Sequence, residues 1–128
     1  MAKTLCVVLR KAPYGTIHAA EALRHINGGI AHGLKTTAIF IDDGVFTAKA
    51  DQTAAEFGWT SLSETLQMTL RFSTTLPDGS PNRAQVWVHA PSLEARGLAP
   101  KDLMAGVKPI NDEEMASLLA EAHAVLLY

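Results

Sequence analysis

Short apolar runs recur along the chain and alternate with segments whose apolar residues have helical spacing. The first run, Thr4–Leu9, is almost continuously apolar, which is typical of a strand covered on both faces. Four later runs predict further strands, namely Thr36–Ile41, Val86–Val88, Gly106–Ile110 and Ala124–Tyr128. The segments between them predict helices from Thr16 to about Asn27–Gly29, over Ala50–Phe57, Ser61–Phe72 and Pro91–Arg96, and from Asn111 onwards.

This alternation of strands and helices predicts an α/β fold, with a parallel sheet and helices on both of its faces. Five strands favour the flavodoxin-like order 2-1-3-4-5, in which the chain reverses its winding direction between strands 1 and 3. The reversal opens a crevice at the carboxyl ends of those strands, bordered by Arg10–Thr16 and His89–Ser92. The polar segment Ser73–Gln85 is predicted to be a long loop. We expect residues 1–128 to form a single domain, because a typical domain has about 150 residues.

Composition narrows the classes of function. The 11 Lys and Arg residues against 13 Asp and Glu residues give a net charge of −2, which offers no broad attraction to nucleic acid or to an anionic membrane. No apolar run approaches the roughly 20 residues of a membrane span, and the first residues lack a signal-peptide pattern. We therefore expect a small cytoplasmic protein without nucleic-acid or membrane partners. Cys6, the single cysteine, excludes an intramolecular disulfide and is expected to be a buried small hydrophobe.

Two loops at the predicted crevice carry candidate chemistry. Arg10–Thr16 combines two cations, a glycine and a helix start, which suits an anion, although an ordinary strand-to-helix turn is favoured. His89 follows the third strand and could act as a base with Asp43 or with a metal ion. Ser92 is interpreted as a helix N-cap, because no GxSxG motif is present. The candidate ligand-binding residues are Lys11, Tyr14, Gly15, Thr16, Asp43, His89, Ser92 and Arg96.

Two further polar groups favour structural roles. His18, Glu21 and His25 share one helix face, where they could hold a transition metal, but a solvated face or a subunit contact is favoured. The Asp42–Gly44 segment is interpreted as a turn in which one aspartate caps backbone amides. We therefore predict no bound metal and no cofactor.

Four segments, in the same order as in the family, resemble the DsrE/DsrF-like proteins. They are Val7–Thr16, Ile39–Phe46, Pro91–Leu98 with its SLxxRGL pattern, and Ala122–Tyr128. The resemblance implies a flavodoxin-like domain that forms trimers or hexamers. It also implies kinship with the intracellular sulfur-relay subunits of the DsrEFH and TusBCD type.

The sequence departs from that family at one position. The resemblance implies that active members carry a persulfide on a cysteine after the third strand, whereas Val88–Ser92 has no cysteine and places His89 in this region. Neither histidine nor serine holds a stable persulfide. The resemblance therefore implies a non-catalytic subunit of the DsrF/TusC type, which assembles with itself or with cysteine-bearing DsrE-like subunits. The alternative is a small-ligand or anion-binding module that uses the crevice.

Overall fold

The computed structural model describes residues 2–53 and 60–128, and it contains an α/β fold with a five-stranded parallel sheet. The strands are β1 (Thr4–Leu9), β2 (Lys35–Phe40), β3 (Ser73–Thr75), β4 (Pro81–Arg83), β5 (Gln85–His89), β6 (Lys108–Ile110) and β7 (Ala124–Leu127). The α-helices are α1 (His18–Ala31), α2 (Leu62–Arg71), α3 (Ala90–Ala95) and α4 (Asp112–Glu121). Asp42–Ala48 and Pro100–Asp102 form 3-10 helices.

The sheet order is β6-β5-β2-β1-β7, with every neighbouring pair parallel. All five strands of the sheet were predicted from the sequence, but the predicted order 2-1-3-4-5 is wrong, since the five follow the order 4-3-2-1-5. The reason lies in β2, which the predicted order places at an edge. Ala38, Ile39 and Phe40 are fully buried, and burial on both faces requires a central strand.

The new order moves the point at which the winding reverses. Successive crossovers from β1 to β2, β5 and β6 step in one direction, and the last crossover returns to place β7 beside β1. The reversal therefore lies between β1 and β7, and β2 separates β1 from β5. Because adjacent strands are about 4.8 Å apart, the loops after β1 and β5 start about 10 Å from each other. The prediction of one crevice shared by these two loops is wrong.

The two faces of the sheet are covered unequally. Helices α1, α2 and α3 pack on one face around the main core. On the other face Cys6, Val8 and Ile39 pack against α4, through its residues Met115, Leu118 and Leu119 and through Ala122. Right-handed crossovers explain this division, because crossovers that step in one direction place their helices on one face, and a reversed crossover places its helix on the other.

One predicted boundary, one predicted helix and one predicted loop need correction. Helix α1 begins at His18 with Ile17 as its N-cap, one residue beyond the predicted Thr16, whose hydroxyl accepts a 3.4 Å hydrogen bond from the His18 amide. The predicted Ala50–Phe57 helix is not formed over residues 50–53, and its remainder lies outside the described residues. The predicted Ser73–Gln85 loop contains the antiparallel hairpin of β3 and β4.

The start signals of α2 and α4 were placed correctly, but the prediction of Ser92 as an N-cap is wrong, because Ser92 lies inside α3 and His89 is the N-cap of that helix. Ser61 caps α2 by accepting a hydrogen bond from the Glu64 amide, and Asn111 and Glu114 form a reciprocal capping box at the start of α4. No helix within residues 2–53 and 60–128 has both the length and the apolar character needed to cross a membrane.

Gly44 supports a close approach between the 3-10 helix Asp42–Ala48 and the end of β1. A Cβ atom at Gly44 would lie 2.1 Å from the Leu9 carbonyl oxygen and 2.8 Å from its carbon. We expect Gly44→Ala to lower the free energy of unfolding by at least about 2 kcal/mol, because the clash is with backbone that cannot rotate away. Equilibrium urea denaturation measures the change.

Gly28→Ala is the matched control. Gly28 lies inside α1 with no atom within 4 Å of a built Cβ, so alanine should raise stability by up to about 1 kcal/mol through helix propensity. An unfolding midpoint for Gly44→Ala equal to that of the unmodified protein would contradict this account of the β1 edge.

Candidate functional site

Polar side chains gather where three neighbouring strands end. Asp42 and Asp43 follow β2 after one residue, His89 ends β5, and Asp112 begins α4 two residues after β6. Because β2, β5 and β6 are adjacent and parallel, their carboxyl ends lie side by side at one edge of the sheet. Ser92, in the first turn of α3, reaches the same place.

A continuous hydrogen-bond chain runs through these residues. The Asp42 amide donates to Ser92 Oγ at 2.9 Å, and Ser92 Oγ lies 2.7 Å from His89 Nδ1. On the far side of the ring, His89 Nε2 lies 2.5 Å from Asp112 Oδ1. The chain therefore links the ends of β2, β5 and β6 through three side chains and one backbone amide. We refer to Asp42, His89, Ser92 and Asp112 as the histidine clasp.

The partners assign the protons of the clasp. An ionised carboxylate only accepts hydrogen bonds, so Nε2 of His89 carries the proton that it shares with Asp112. In the tautomer with its proton on Nε2, Nδ1 is an acceptor. Ser92 Oγ accepts from the Asp42 amide and donates its own proton to Nδ1. Each of these hydrogen-bonding groups has a partner, which orients the imidazole from both sides.

Arg96 ties a second carboxylate to the clasp. Its Nε donates to Asp43 Oδ1 at 3.0 Å, and another guanidinium nitrogen donates to the Ser92 carbonyl oxygen at 3.1 Å. The interpretation of the Asp42–Gly44 turn as an amide cap is not reproduced, because no side chain caps the start of the 3-10 helix Asp42–Ala48. The segment instead contributes the Asp42 amide and the Asp43 carboxylate to two contacts with α3.

The clasp contains a serine, a histidine and an aspartate, the residue types of the catalytic triad of serine hydrolases. Their arrangement does not allow the serine to act as a nucleophile. Ser92 is buried, and its oxygen already accepts the Asp42 amide. A nucleophilic hydroxyl must face a cavity in which substrate can approach. Among the described residues the clasp therefore acts as a connector that fixes the β5–α3 turn against its neighbours.

The structure divides the eight predicted ligand-binding residues into two groups. His89, Ser92, Asp43 and Arg96 come together at the carboxyl ends of β2 and β5. The other four, Lys11, Tyr14, Gly15 and Thr16, lie on the loop after β1.

The loop after β1 is directed towards α2. The Tyr14 hydroxyl accepts a hydrogen bond from the Leu62 amide at 3.2 Å, at the start of that helix. Gly15 has a φ of 96°, a left-handed conformation that favours glycine. Within the described part of the chain, no hydrogen bond joins this loop to the histidine clasp.

Asp112 belongs to the cluster and was not among the predicted site residues. The helix start predicted at Asn111 is correct, but this prediction does not include the contact between Asp112 and His89. A usable signal existed, since the predicted strands 3 and 4 are neighbours in both the predicted and the observed order. An acidic residue directly after strand 4 is therefore within reach of a histidine that ends strand 3.

Two of the three polar residues considered as metal ligands on α1, Glu21 and His25, contact other side chains. Glu21 pairs with Arg24 at 2.6 Å, and the His25 ring stacks on Tyr128 with 5.6 Å between centroids. Burial raises the pKa of the Tyr128 hydroxyl, and the Arg24 hydrogen bond lowers that of the Glu21 carboxyl. Throughout residues 2–53 and 60–128, no three His, Cys, Asp or Glu side chains are grouped so as to hold a metal ion.

Comparison with known proteins shows the family to which the chain belongs. The family model described as DsrE/DsrF-like matches residues 3–128, which is nearly the whole chain. The protein belongs to the DsrE/DsrF-like family. The resemblance seen in four sequence segments is thereby confirmed.

Two curated relatives show how the similarity is distributed. The intracellular sulfur oxidation protein DsrF of Allochromatium vinosum is 39% identical over 95 residues, which is 74% of this chain but 63% of that protein. The TusC homolog of Pseudomonas aeruginosa is 29% identical over 126 residues, with 98% of each chain covered.

Solved structures agree on the fold. The ychN protein of E. coli superposes with a TM-score of 0.82 at 19% identity, covering 98% of this chain and 99% of that one. A protein of unknown function from Methanobacterium thermoautotrophicum gives a TM-score of 0.69 at 12% identity over the full length of both chains. At these identities the likeness concerns the fold alone.

The one thiol of this DsrE/DsrF-like chain lies away from the clasp. Cys6 is in the middle of β1, 1% exposed, beneath α4. Burial raises its pKa to about 11. Because the thiolate is the nucleophilic form, this thiol is almost wholly unreactive at neutral pH.

Ser92→Ala tests the clasp. The substitution leaves the Asp42 amide and His89 Nδ1 without their partner, in a partly buried place, so we expect the free energy of unfolding to fall by about 1 to 3 kcal/mol. Urea denaturation is the measurement, with Ser117→Ala, an exposed serine of α4, as the control that should change stability by less than about 0.5 kcal/mol. Equal effects of the two variants would contradict the clasp.

The contact between Asp112 and His89 should contribute less to stability than the Ser92 hydrogen bonds. The Asp112 side chain is 75% exposed, and polar contacts that are this exposed to solvent contribute at most about 1 kcal/mol. Comparing Asp112→Asn with Glu113→Gln separates the contact with His89 from the interaction with the helix dipole, because both carboxylates lie in the first turn of α4.

Proposed function

We propose that this protein is a subunit of an intracellular sulfur-relay assembly that does not itself carry a persulfide. Its DsrE/DsrF-like membership and its similarity to proteins named DsrF and TusC support the relay. Its role in this proposal is to assemble, in the cytoplasm, with copies of itself as a trimer or hexamer or with cysteine-bearing DsrE-like subunits.

The histidine clasp is the observation that carries this proposal. In sulfur-carrying relatives the resemblance places a cysteine in the loop after the strand that corresponds to β5. Here His89 stands at that point, with both ring nitrogens in hydrogen bonds to Ser92 and Asp112. The imidazole is held in place as a connector, and the chain Val88–Ser92 provides no sulfur atom.

Cys6 does not replace the missing cysteine. Persulfide transfer requires a thiolate to reach a sulfur–sulfur bond. The Cys6 thiol is covered by α4, has a raised pKa, and occupies the middle of β1 rather than a loop at its end. With 1% of its surface exposed, the Cys6 side chain offers little surface to a donor.

An incompletely covered sheet face supports assembly. Val125 and Leu127 are in register with Cys6 and Val8, so they share the face on which α4 packs. Val125 is nevertheless 45% and Leu127 60% exposed, and no residue of α4 is fully buried. Exposed apolar side chains beside an edge strand are typical of a protein interface.

Exposure to a low-molecular-weight persulfide donor, followed by intact-mass measurement, tests the chemistry. We expect the unmodified protein to gain no sulfur, because its only thiol is buried and protonated. We expect Cys6→Ala/His89→Cys to gain one sulfur atom, because this variant places a cysteine at the end of β5 and removes the buried one.

The Cys6→Ala variant alone is the matched control. One sulfur atom gained by the unmodified protein and lost in Cys6→Ala would show that Cys6 is a carrier and would overturn the proposal. Circular dichroism of each variant before exposure establishes that the comparison is made between folded proteins.

Leu127→Glu tests the assembly surface. A buried unpaired carboxylate is costly, so this change should shift the oligomer strongly towards monomer if Leu127 lies in the interface. Native mass spectrometry measures the distribution. Met68→Glu is the control, since Met68 is 64% exposed on α2, on the other side of the sheet. An unchanged distribution in Leu127→Glu would exclude this face.

A further inference from the structure

A second site lies at the opposite end of the sheet from the histidine clasp. The β3–β4 hairpin leans over the amino ends of β1, β2 and β5 and encloses a cavity of about 320 Å³. The volume is within the range of small-ligand sites, about 300 to 1,000 Å³. We call this cavity the hairpin pocket.

The floor of the hairpin pocket is fixed in position. Asn82, 3% exposed, donates from Nδ2 to the Leu34 carbonyl oxygen at 2.9 Å, and the Thr36 hydroxyl donates to the same oxygen at 3.1 Å. The Thr74 hydroxyl donates to the Ile30 carbonyl oxygen at 2.9 Å, which ties β3 to α1. These bonds hold the hairpin against the body of the protein, so the pocket is formed before any ligand binds.

The pocket is positively charged. Lys35 and Arg83 line it, and no Asp or Glu residue does so among the described residues. Neither cation forms an ion pair within residues 2–53 and 60–128. In a chain with a net charge of −2, two such cations at one cavity favour an anionic ligand.

Asp78, two residues before the lining residue Ser80, has hydrogen-bond partners of its own. Asp78, in the hairpin turn, accepts hydrogen bonds from the Ser80 hydroxyl at 2.5 Å and from the Ser80 amide at 2.9 Å. These bonds, with a smaller contribution from the charge of Lys35, lower the pKa of the Asp78 carboxyl. Asp78 therefore stays ionised and directed at Ser80, and it does not line the pocket.

The other residues that line the pocket indicate the chemistry of the uncharged part of the ligand. Hydroxyl and amide groups of Thr4, Thr37 and Gln85 surround the cavity, and no aromatic residue among those described offers a surface for stacking a base. The cavity is also much larger than a bare phosphate ion. We propose that the hairpin pocket binds a small, hydroxyl-bearing phosphate monoester of the sugar-phosphate class, with its phosphate between Lys35 and Arg83. This proposal is independent of sulfur relay.

Isothermal titration calorimetry of the full chain with ribose 5-phosphate and glycerol 3-phosphate tests it. We expect saturable binding with a Kd below about 1 mM and a loss of affinity of at least tenfold in Lys35→Gln and in Arg83→Gln. Amide NMR shifts should report the ligand at Thr37 and Gln85, which lie opposite each other in β2 and β5. Lys101→Gln, which removes an exposed charge from the 3-10 helix Pro100–Asp102, should bind normally.

Three results would overturn the proposal. Absence of saturable binding to both monoesters would exclude the site. An equal loss of affinity in Lys101→Gln would indicate unspecific attraction to net charge. Inorganic phosphate or succinate binding as tightly as the monoesters would show that the hydroxyl-bearing part of the ligand is not recognised.

Discussion

The pairing of β1 with β2 is the constraint on which the other elements depend. The six residues of each strand pair in register, from Thr4 opposite Lys35 to Leu9 opposite Phe40, and their central residues are buried on both faces. Parallel neighbours require a crossover connection, and a doubly buried pair requires cover on both sides. Helix α1 supplies the crossover and much of one cover, and α4, delivered by the return of the chain to β7, supplies the other.

The two ends of this sheet differ in whether their charged side chains have partners. At the carboxyl end Asp43 forms an ion pair with Arg96, and Asp112 contacts His89, so these side chains have partners within the cluster. At the amino end Lys35 and Arg83 face a cavity without an acidic lining residue in the described part of the chain. A cluster whose groups are satisfied holds elements together, whereas unbalanced charge around a cavity attracts a ligand. The site proposed for a ligand is therefore at the amino end of the sheet, whereas open α/β sheets generally bind ligands at the carboxyl end.

The local sequence pattern was sufficient to predict the strands but not their order in the sheet. The apolar runs Thr4–Leu9 and Thr36–Ile41 predict buried strands, but no local feature indicates which strands are neighbours. The misplaced second strand also produced the wrong pairing of the Arg10–Thr16 loop with His89. The β3–β4 hairpin escaped prediction because each strand has three mostly polar residues, too few for an alternation to be recognised. Of the clasp, His89 and Ser92 were foreseen. Asp112 was missed because its helix-start signal already explained it.

The place of β7 has a consequence for the order in which the molecule is made. The register of β7 pairs Leu5 with Ala124, so one edge of the central, apolar strand β1 stays unpaired until β7 has been synthesised. While the nascent chain is still on the ribosome, β1 has β2 on one side and an open row of amides and carbonyls on the other. Such an edge can recruit strands from other polypeptides, and distant pairing slows folding. The second edge of β1 is therefore covered only after β7 has been synthesised.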